Sequence, residues 1–195
     1  MRVALSATCK ESDSSANKAA DAVVARLRGA VRDVPDHPTP GIVFKDITPL
    51  LGCGDLYHAA CEALAAPFRE MGISHVISIE SRGFLFGGPV ALSLGAGLVP
   101  VRKLGKLPYT TAREEYALEY GTDVLEIHVD ALTSTSRVVI VDDVLATGGT
   151  AAATARLVKR LGAEVVGSAF LIELVFLHGR ARLGAQRVES VIVYD

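Results

Sequence analysis

The stretch over residues 137–162 limits the fold more than any other. It opens with an uninterrupted β-branched run, Val138-Val139-Ile140-Val141, and two acids follow, Asp142 and Asp143. Then come Val144-Leu145-Ala146-Thr147-Gly148-Gly149-Thr150 and an alanine-rich helical pattern over residues 151–161. A continuous apolar run reads as a parallel strand buried on both faces. Parallel strands need crossover connections, usually helices, so the chain is read as α/β. Ligands of open α/β sheets bind beyond the carboxyl ends of the strands, where the acid pair falls. Gly148 and Gly149 allow a tight turn with N–H groups pointing inward. The helix that follows offers free amides and the positive end of its dipole. Thr147 and Thr150 add hydroxyl donors. Strand, acids, loop and helix thus predict a phosphate-binding βα unit. The loop carries no lysine, so it is not the Gly-Lys-Ser/Thr loop that cradles triphosphates, and its neutral donors suit a terminal monophosphate. The two carboxylates would repel phosphate, and a ribose diol that donates to them is their natural partner. The plainer alternative is a βα turn whose acids only cap the helix; the acid pair, the threonines and the long strand together favour a ligand site.

Size and composition narrow the class. A chain of 195 residues, 50% hydrophobic and 22% charged, fits one globular domain with a substantial core. A net charge of −2 supplies no basic field for nucleic acid. Three cysteines, Cys9, Cys53 and Cys61, without a Cys-x-x-Cys pair, support neither a disulfide framework nor a zinc site. The five histidines show no ligand spacing, so no protein-held metal is expected. No apolar run approaches a membrane span, and the first eight residues are too short and mixed for a signal peptide. A reduced, cytoplasmic setting is the default expectation.

Along the chain, residues 1–17 read as a mobile polar tail and residues 18–195 as a single domain. Residues 19–34 have helical spacing and should stop near Pro35. Residues 35–49 hold four prolines around Ile42-Val43-Phe44-Lys45, a rigid segment able to present an aromatic face and backbone groups to a flat heterocycle, or else a plain connector. A helix over 55–71 should be bent or broken at its final turn by Pro67. A strand over 75–80 leads into Ser81-Arg82-Gly83, which puts a guanidinium fork at a second strand end. Helix 84–95 and strand 98–101 precede Arg102, Lys103 and Lys106, three cations within a few residues. Residues 109–115 are polar and unpatterned, so residues 103–118 read as a lid or binding loop. Strands over 124–128, 164–174 and 191–194 and a short helix over 176–183 complete the pattern. No repeat or linker divides the chain.

Residues 139–150 resemble the phosphoribosyl pyrophosphate (PRPP) signature of the type I phosphoribosyltransferase family, and the likeness extends over residues 35–194. Within that family it is to the members that take adenine. The resemblance implies a central, mainly parallel sheet flanked by helices, a small N-terminal hood over the base site and a mobile lid. It implies that PRPP and adenine give AMP and pyrophosphate, with Mg²⁺ carried chiefly by the diphosphate, in a homodimer. Ala146, Thr147, Gly148, Gly149 and Thr150 would hold the 5′-phosphate, and Asp142 and Asp143 the ribose. Ser81, Arg82, Gly83, Arg102, Lys103 and Lys106 would meet the pyrophosphate. Val43, Phe44, Lys45, Val144 and Glu119 would form the adenine site, with Glu119 at the reacting base and Tyr120 supporting the lid. Many relatives have arginine at the position of Lys45, a swap of little weight if only backbone reads the base. The family often has a cis peptide at the position of Glu80-Ser81. Two alternatives stay open: a phosphoribosyltransferase for another purine or a pyrimidine, and a PRPP-binding regulator without catalysis.

Overall fold

The computed structural model describes residues 8–117 and 121–195, with side chains from residue 18 onward except at residue 117. It divides into two compact units, Met1–Ala59 and Ala60–Asp195. The boundary falls inside helix α3 (Gly54–Ala65), which is why no linker composition marks it.

The first unit begins with helix α1 (Thr8–Gly29), which starts inside the segment read as a tail and stops at Gly29. Residues 32–34, expected to be helical, instead form strand β1 (Arg32–Pro35). Their backbone groups are taken by strand β2 (Val43–Asp46), antiparallel, with Val34 opposite Phe44. Asp36 closes this ribbon by accepting from the Gly41 amide at 2.8 Å. The His37-Pro38 peptide is cis. The short helix α2 (Thr48–Leu51) has Asp46 at its start, which accepts from the Thr48 amide and hydroxyl, each at 2.9 Å. The segment read as a rigid hood is therefore a two-stranded ribbon with prolines at its margins, where a missing N–H costs no ladder bond.

The second unit is a seven-stranded sheet. Its strands are β3 (His75–Ile79), β4 (Gly97–Lys103), β5 (Thr111–Ala117), β6 (Thr122–His128), β7 (Arg137–Leu145), β8 (Glu164–Leu174) and β9 (Val188–Tyr194). Their order is β5-β6-β4-β3-β7-β8-β9. Strands β4, β3, β7, β8 and β9 run parallel, and β6 pairs antiparallel with both β4 and β5. The run Val138 to Val141 is fully buried at the centre. Helix α5 (Gly149–Arg160) covers the face of Ile77, Ile79, Val138 and Ile140. Helix α4 (Gly83–Leu94) covers the opposite face, where a Cβ on Gly87 would overlap Ser78.

Two expectations are corrected here. Residues 109–115 read as unpatterned, but from residue 111 onward they belong to strand β5, in register with β6 along its whole length. Its charges defeat an alternation test because they are satisfied by neighbours: Glu114 meets Arg156 and Arg160 of α5, and Arg113 meets the buried Glu126 at 2.8 Å. Burial raises the Glu126 carboxyl, but the Gly105 amide, the Thr111 hydroxyl and Arg113 outweigh it and hold it below its ordinary value. Residues 176–183, read as one short helix, are two 3-10 turns, Val175–Leu177 and Gly179–Leu183, separated by His178 in the left-handed region. Pro67 acts as expected: α3 ends at Ala65 and a 3-10 turn, Ala66–Phe68, follows.

Candidate active site

Strand β7 sets the site. Beyond Val141 it carries Asp142 and Asp143 toward its carboxyl end, beside that of β3. After Leu145 the chain turns through Gly148, at φ +78°, into α5. A side chain there would be strained by that dihedral and would overlap the Gly179 carbonyl. No side chain caps the first turn of α5. Its amides therefore remain available to an anion, as a helix start does when no side-chain oxygen occupies it. Ala146, Thr147, Gly148, Gly149 and Thr150 all line one small hollow of about 70 Å³, together with Asp142 and Val144.

Next to it lies a larger cavity of about 430 Å³. Its walls include Ser81, Arg82, Lys103, Asp142, Asp143, Val144, Ala146 and Thr150. Three strand ends, those of β7, β3 and β4, thus bring the acid pair, the arginine turn and one lysine to a single space. The Glu80-Ser81 peptide is cis. Gly83 is pressed against β7: a Cβ there would sit 2.8 Å from Asp142 Oδ1 and 3.1 Å from the Val141 carbonyl. This approach lets the arginine turn abut the acid pair, and Arg82 Nε lies 2.7 Å from Asp143 Oδ2.

The electrostatics follow from crowding. Burial, then the charge of Asp143, pushes the Asp142 carboxyl well above its ordinary value. Burial also raises Asp143, with Arg82 opposing it. On the far wall, the hydrogen bond from Lys103 to Asp123 (3.0 Å) raises the lysine. Burial raises the Asp123 carboxyl, but Lys103 and the Val124 amide outweigh it and hold it low.

Not every expected residue reaches the cavity. The Arg102 guanidinium is engaged by Glu80 through two bonds of 3.0 and 3.1 Å and also donates to the Lys106 carbonyl, and neither Arg102 nor Lys106 is in the lining. Arg102 thereby holds the Glu80 carboxylate below its ordinary value and braces the arginine turn. Val43, Phe44 and Lys45 lie on β2 in the first unit, where Phe44 meets the His37 ring edge-on at 5.1 Å and Lys45 pairs with Asp33 at 2.7 Å. Glu119 and Tyr120 lie outside the described residues.

Two lining residues escape a reading of the sequence. Tyr116 and Asp123 face one another across the β5–β6 ladder, and the Thr150 hydroxyl donates to the Tyr116 phenol oxygen at 3.3 Å. Neither belongs to a motif; only the strand pairing brings them together, and an alternating pattern in residues 111–117 would have been the signal.

The raised Asp142 carboxyl generates a testable expectation. A carboxyl whose folded pKa is raised contributes least cost below its unfolded value, and its ionisation in the fold costs stability as pH rises. Asp142→Asn should raise the melting temperature at about pH 8 and lose that gain toward about pH 4, while cutting turnover by roughly 100-fold through lost orientation. Thermal melts across pH with steady-state rates check it; a gain independent of pH contradicts the assignment.

The chain was compared with known families and structures. Residues 55–193 match the model of the phosphoribosyl transferase domain. An adenine phosphoribosyltransferase of Myxococcus xanthus is 55% identical over 172 residues, covering 88% of this chain and 94% of the relative. The crystal structure of adenine phosphoribosyltransferase from Rhodothermus marinus superposes with a TM-score of 0.85 at 57% identity, covering 89% of this chain and 99% of that one. That of the Saccharomyces cerevisiae enzyme, complexed with an imino-altritol bisphosphate and adenine, gives 0.84 at 40% identity, covering 88% and 99%. With its sheet order, the small hollow of loop 146–150 and its acid pair in place, the chain belongs to the adenine phosphoribosyltransferases of the phosphoribosyl transferase domain family.

Proposed function

We propose that this protein transfers the 5-phosphoribosyl group of PRPP to adenine, giving AMP and pyrophosphate, a reaction that salvages the free purine. The observation that carries the reading is the junction of the phosphate hollow with a cavity walled by Asp142, Asp143, Arg82 and Lys103. A sugar held at its 5′-phosphate by residues 146–150 spans from hollow to cavity, with its hydroxyls on the acid pair. That fixes C1′ between base and diphosphate and turns an encounter into an oriented displacement. The N9 of adenine forms the new bond to C1′ as the C1′–O bond breaks. The bonding pair leaves with pyrophosphate, and the N9 proton is released. Positive charge on the sugar is favoured by the neighbouring carboxylates, and negative charge on the leaving group by Arg82 and Lys103. Lys103 reaches the diphosphate by exchanging its Asp123 partner for it. Glu119, placed at the base by family resemblance, binds the adenine edge or exchanges its proton.

Mg²⁺ fits this donor set as a passenger on the substrate. Among the described residues no three His, Cys, Asp or Glu side chains are grouped to hold a metal ion. Mg²⁺ keeps several waters and binds through one or two carboxylates plus substrate phosphates, and Asp142 and Asp143 are the carboxylates at hand. When bound, the ion neutralises charge on the departing diphosphate. Adenine is read by Val144 at the cavity.

We further propose a homodimer in the cytoplasm. Helix α4 is apolar apart from Ser93, and its Leu85 and Leu92, seven residues apart on one face, are 42% and 85% exposed, with Leu98 at 47%. Exposed apolar side chains grouped in this way mark an association surface. Cys53 and Cys61 are free, which suits a reducing compartment. No helix among the described residues is long and apolar enough to cross a membrane.

Pyrophosphate release with PRPP and each nucleobase supplied in turn tests the activity. Release should occur with adenine, stop on chelation of divalent ions and return with Mg²⁺; release with hypoxanthine, guanine or a pyrimidine but not adenine contradicts the reading. Light scattering should give the mass of two chains for the wild type and of one for Leu92→Glu. A single-chain wild type would dismiss the dimer.

A further inference from the structure

The turn that follows β8 lies against the phosphate loop more tightly than side chains allow. A Cβ on Gly179 would overlap the Ala146 carbonyl oxygen and come within 3.0 Å of the Gly148 nitrogen. A Cβ on Gly148 would overlap the Gly179 carbonyl in return. Two stretches of bare backbone are therefore in direct contact, loop 146–148 against the start of the 3-10 turn Gly179–Leu183. This contact has an orienting effect. A trans peptide holds its C=O and N–H antiparallel. With the Ala146 carbonyl turned onto Gly179, the Thr147 N–H points to the opposite side of the loop, away from that turn. The position of Gly179 thus sets the direction of donors that the phosphate hollow presents.

Gly179 is itself fixed through the next residue. Arg180 Nε donates to Glu173 Oε1 at 2.9 Å, Nη2 donates to Oε2 at 2.5 Å, and Nη1 donates to the Val188 carbonyl at 2.8 Å. Glu173, the penultimate residue of β8, is 4% exposed, and it accepts a third bond from the Ser190 hydroxyl of β9 at 2.6 Å. The arginine hydrogen bond leads the causes that hold the Glu173 carboxyl low, ahead of the burial that opposes it. The guanidinium fork therefore rivets the turn to two strands of the sheet at fixed distance and angle, which a lysine cannot do.

We propose that Arg180 and Glu173 are positioning residues for the 5′-phosphate: through the backbone of Gly179 they hold the rear of the phosphate hollow and aim its main-chain donors. Neither side chain lines the hollow or the larger cavity, so neither touches substrate in this account. The inference rests on residues 146–150 being the phosphate site of the proposed reaction. It goes beyond that reading by assigning the aim of the donors to an ion pair remote from the chemistry.

The test separates the two halves of the substrate. Binding of ribose 5-phosphate and of pyrophosphate is measured calorimetrically on the full chain for the wild type, Arg180→Ala and Arg180→Lys. KM for PRPP and for adenine is measured alongside. Arg180→Ala should weaken ribose 5-phosphate binding and raise the KM for PRPP by roughly 10-fold, with pyrophosphate affinity and the KM for adenine within about twofold. Arg180→Lys should fall between. If ribose 5-phosphate and pyrophosphate weaken by the same factor, or if ribose 5-phosphate binding is unchanged while the melting temperature drops, the pair serves folding only and the proposal is overturned. A wild type that binds no ribose 5-phosphate overturns the proposed function instead. Should Arg180→Ala not fold, Glu173→Gln, nearly isosteric, tests the same contact and should show the same selective loss.

Discussion

Everything in the site follows from how the chain leaves β7. The strand must end, reverse into α5, and leave its amides converging on one point; the left-handed Gly148 makes that geometry possible. Because the turn is made of backbone alone, another stretch of backbone can lie directly behind it, as Gly179 does. The donors are neutral and the first turn of α5 has no side-chain cap, so in the proposed reaction phosphate would meet N–H groups and the helix dipole without a lysine point charge.

The same strand places the acid pair one step from the anion site, and that proximity has an energetic cost. Burial raises both carboxyls, the charge of Asp143 raises Asp142 further, and Arg82 offsets only part of it. Such strain is tolerated where the fold over-determines it. Here the determinants are Gly83, which brings the arginine turn against Asp142, and the Arg102–Glu80 pair, which braces that turn from behind. Lys103, Asp123 and Tyr116 close the opposite wall through the β5–β6 ladder. The cavity thus sets a cation beside an acid on each wall, Arg82 against Asp143 and Lys103 against Asp123, so charge of either sign that develops in a glycosyl transfer meets a counter-charge.

Much of this is legible in the residues themselves. Val138 to Val141 announces a buried parallel strand, Asp142 and Asp143 mark its carboxyl end, and Gly148-Gly149 the turn, because each of these is a local rule of backbone or burial. The strand end before Gly83 also marks Arg82, while family resemblance added the cis Glu80-Ser81 peptide, which no spacing reveals. What stayed hidden depends on pairing over distance. Strand β5 looks unpatterned because Arg113 and Glu114 are satisfied by partners on β6 and α5. Arg102 reads as a phosphate ligand until Glu80 is seen to hold it. Helix α1 starts at Thr8 although its first turns lack an apolar stripe, and residues 32–34 leave it for β1 because β2 supplies their ladder.

The claim at the centre is that a loop of main-chain donors at residues 146–150 grips the 5′-phosphate and so carries most of the nucleotide's hold on the protein. Thermal melts with AMP and with adenosine at equal concentration test it most directly, since the two differ only in that phosphate. The account predicts a clear stabilisation by AMP, about 2.7 kcal/mol at 100 times its Kd, and a far smaller shift with adenosine. Equal shifts from the two ligands would contradict it.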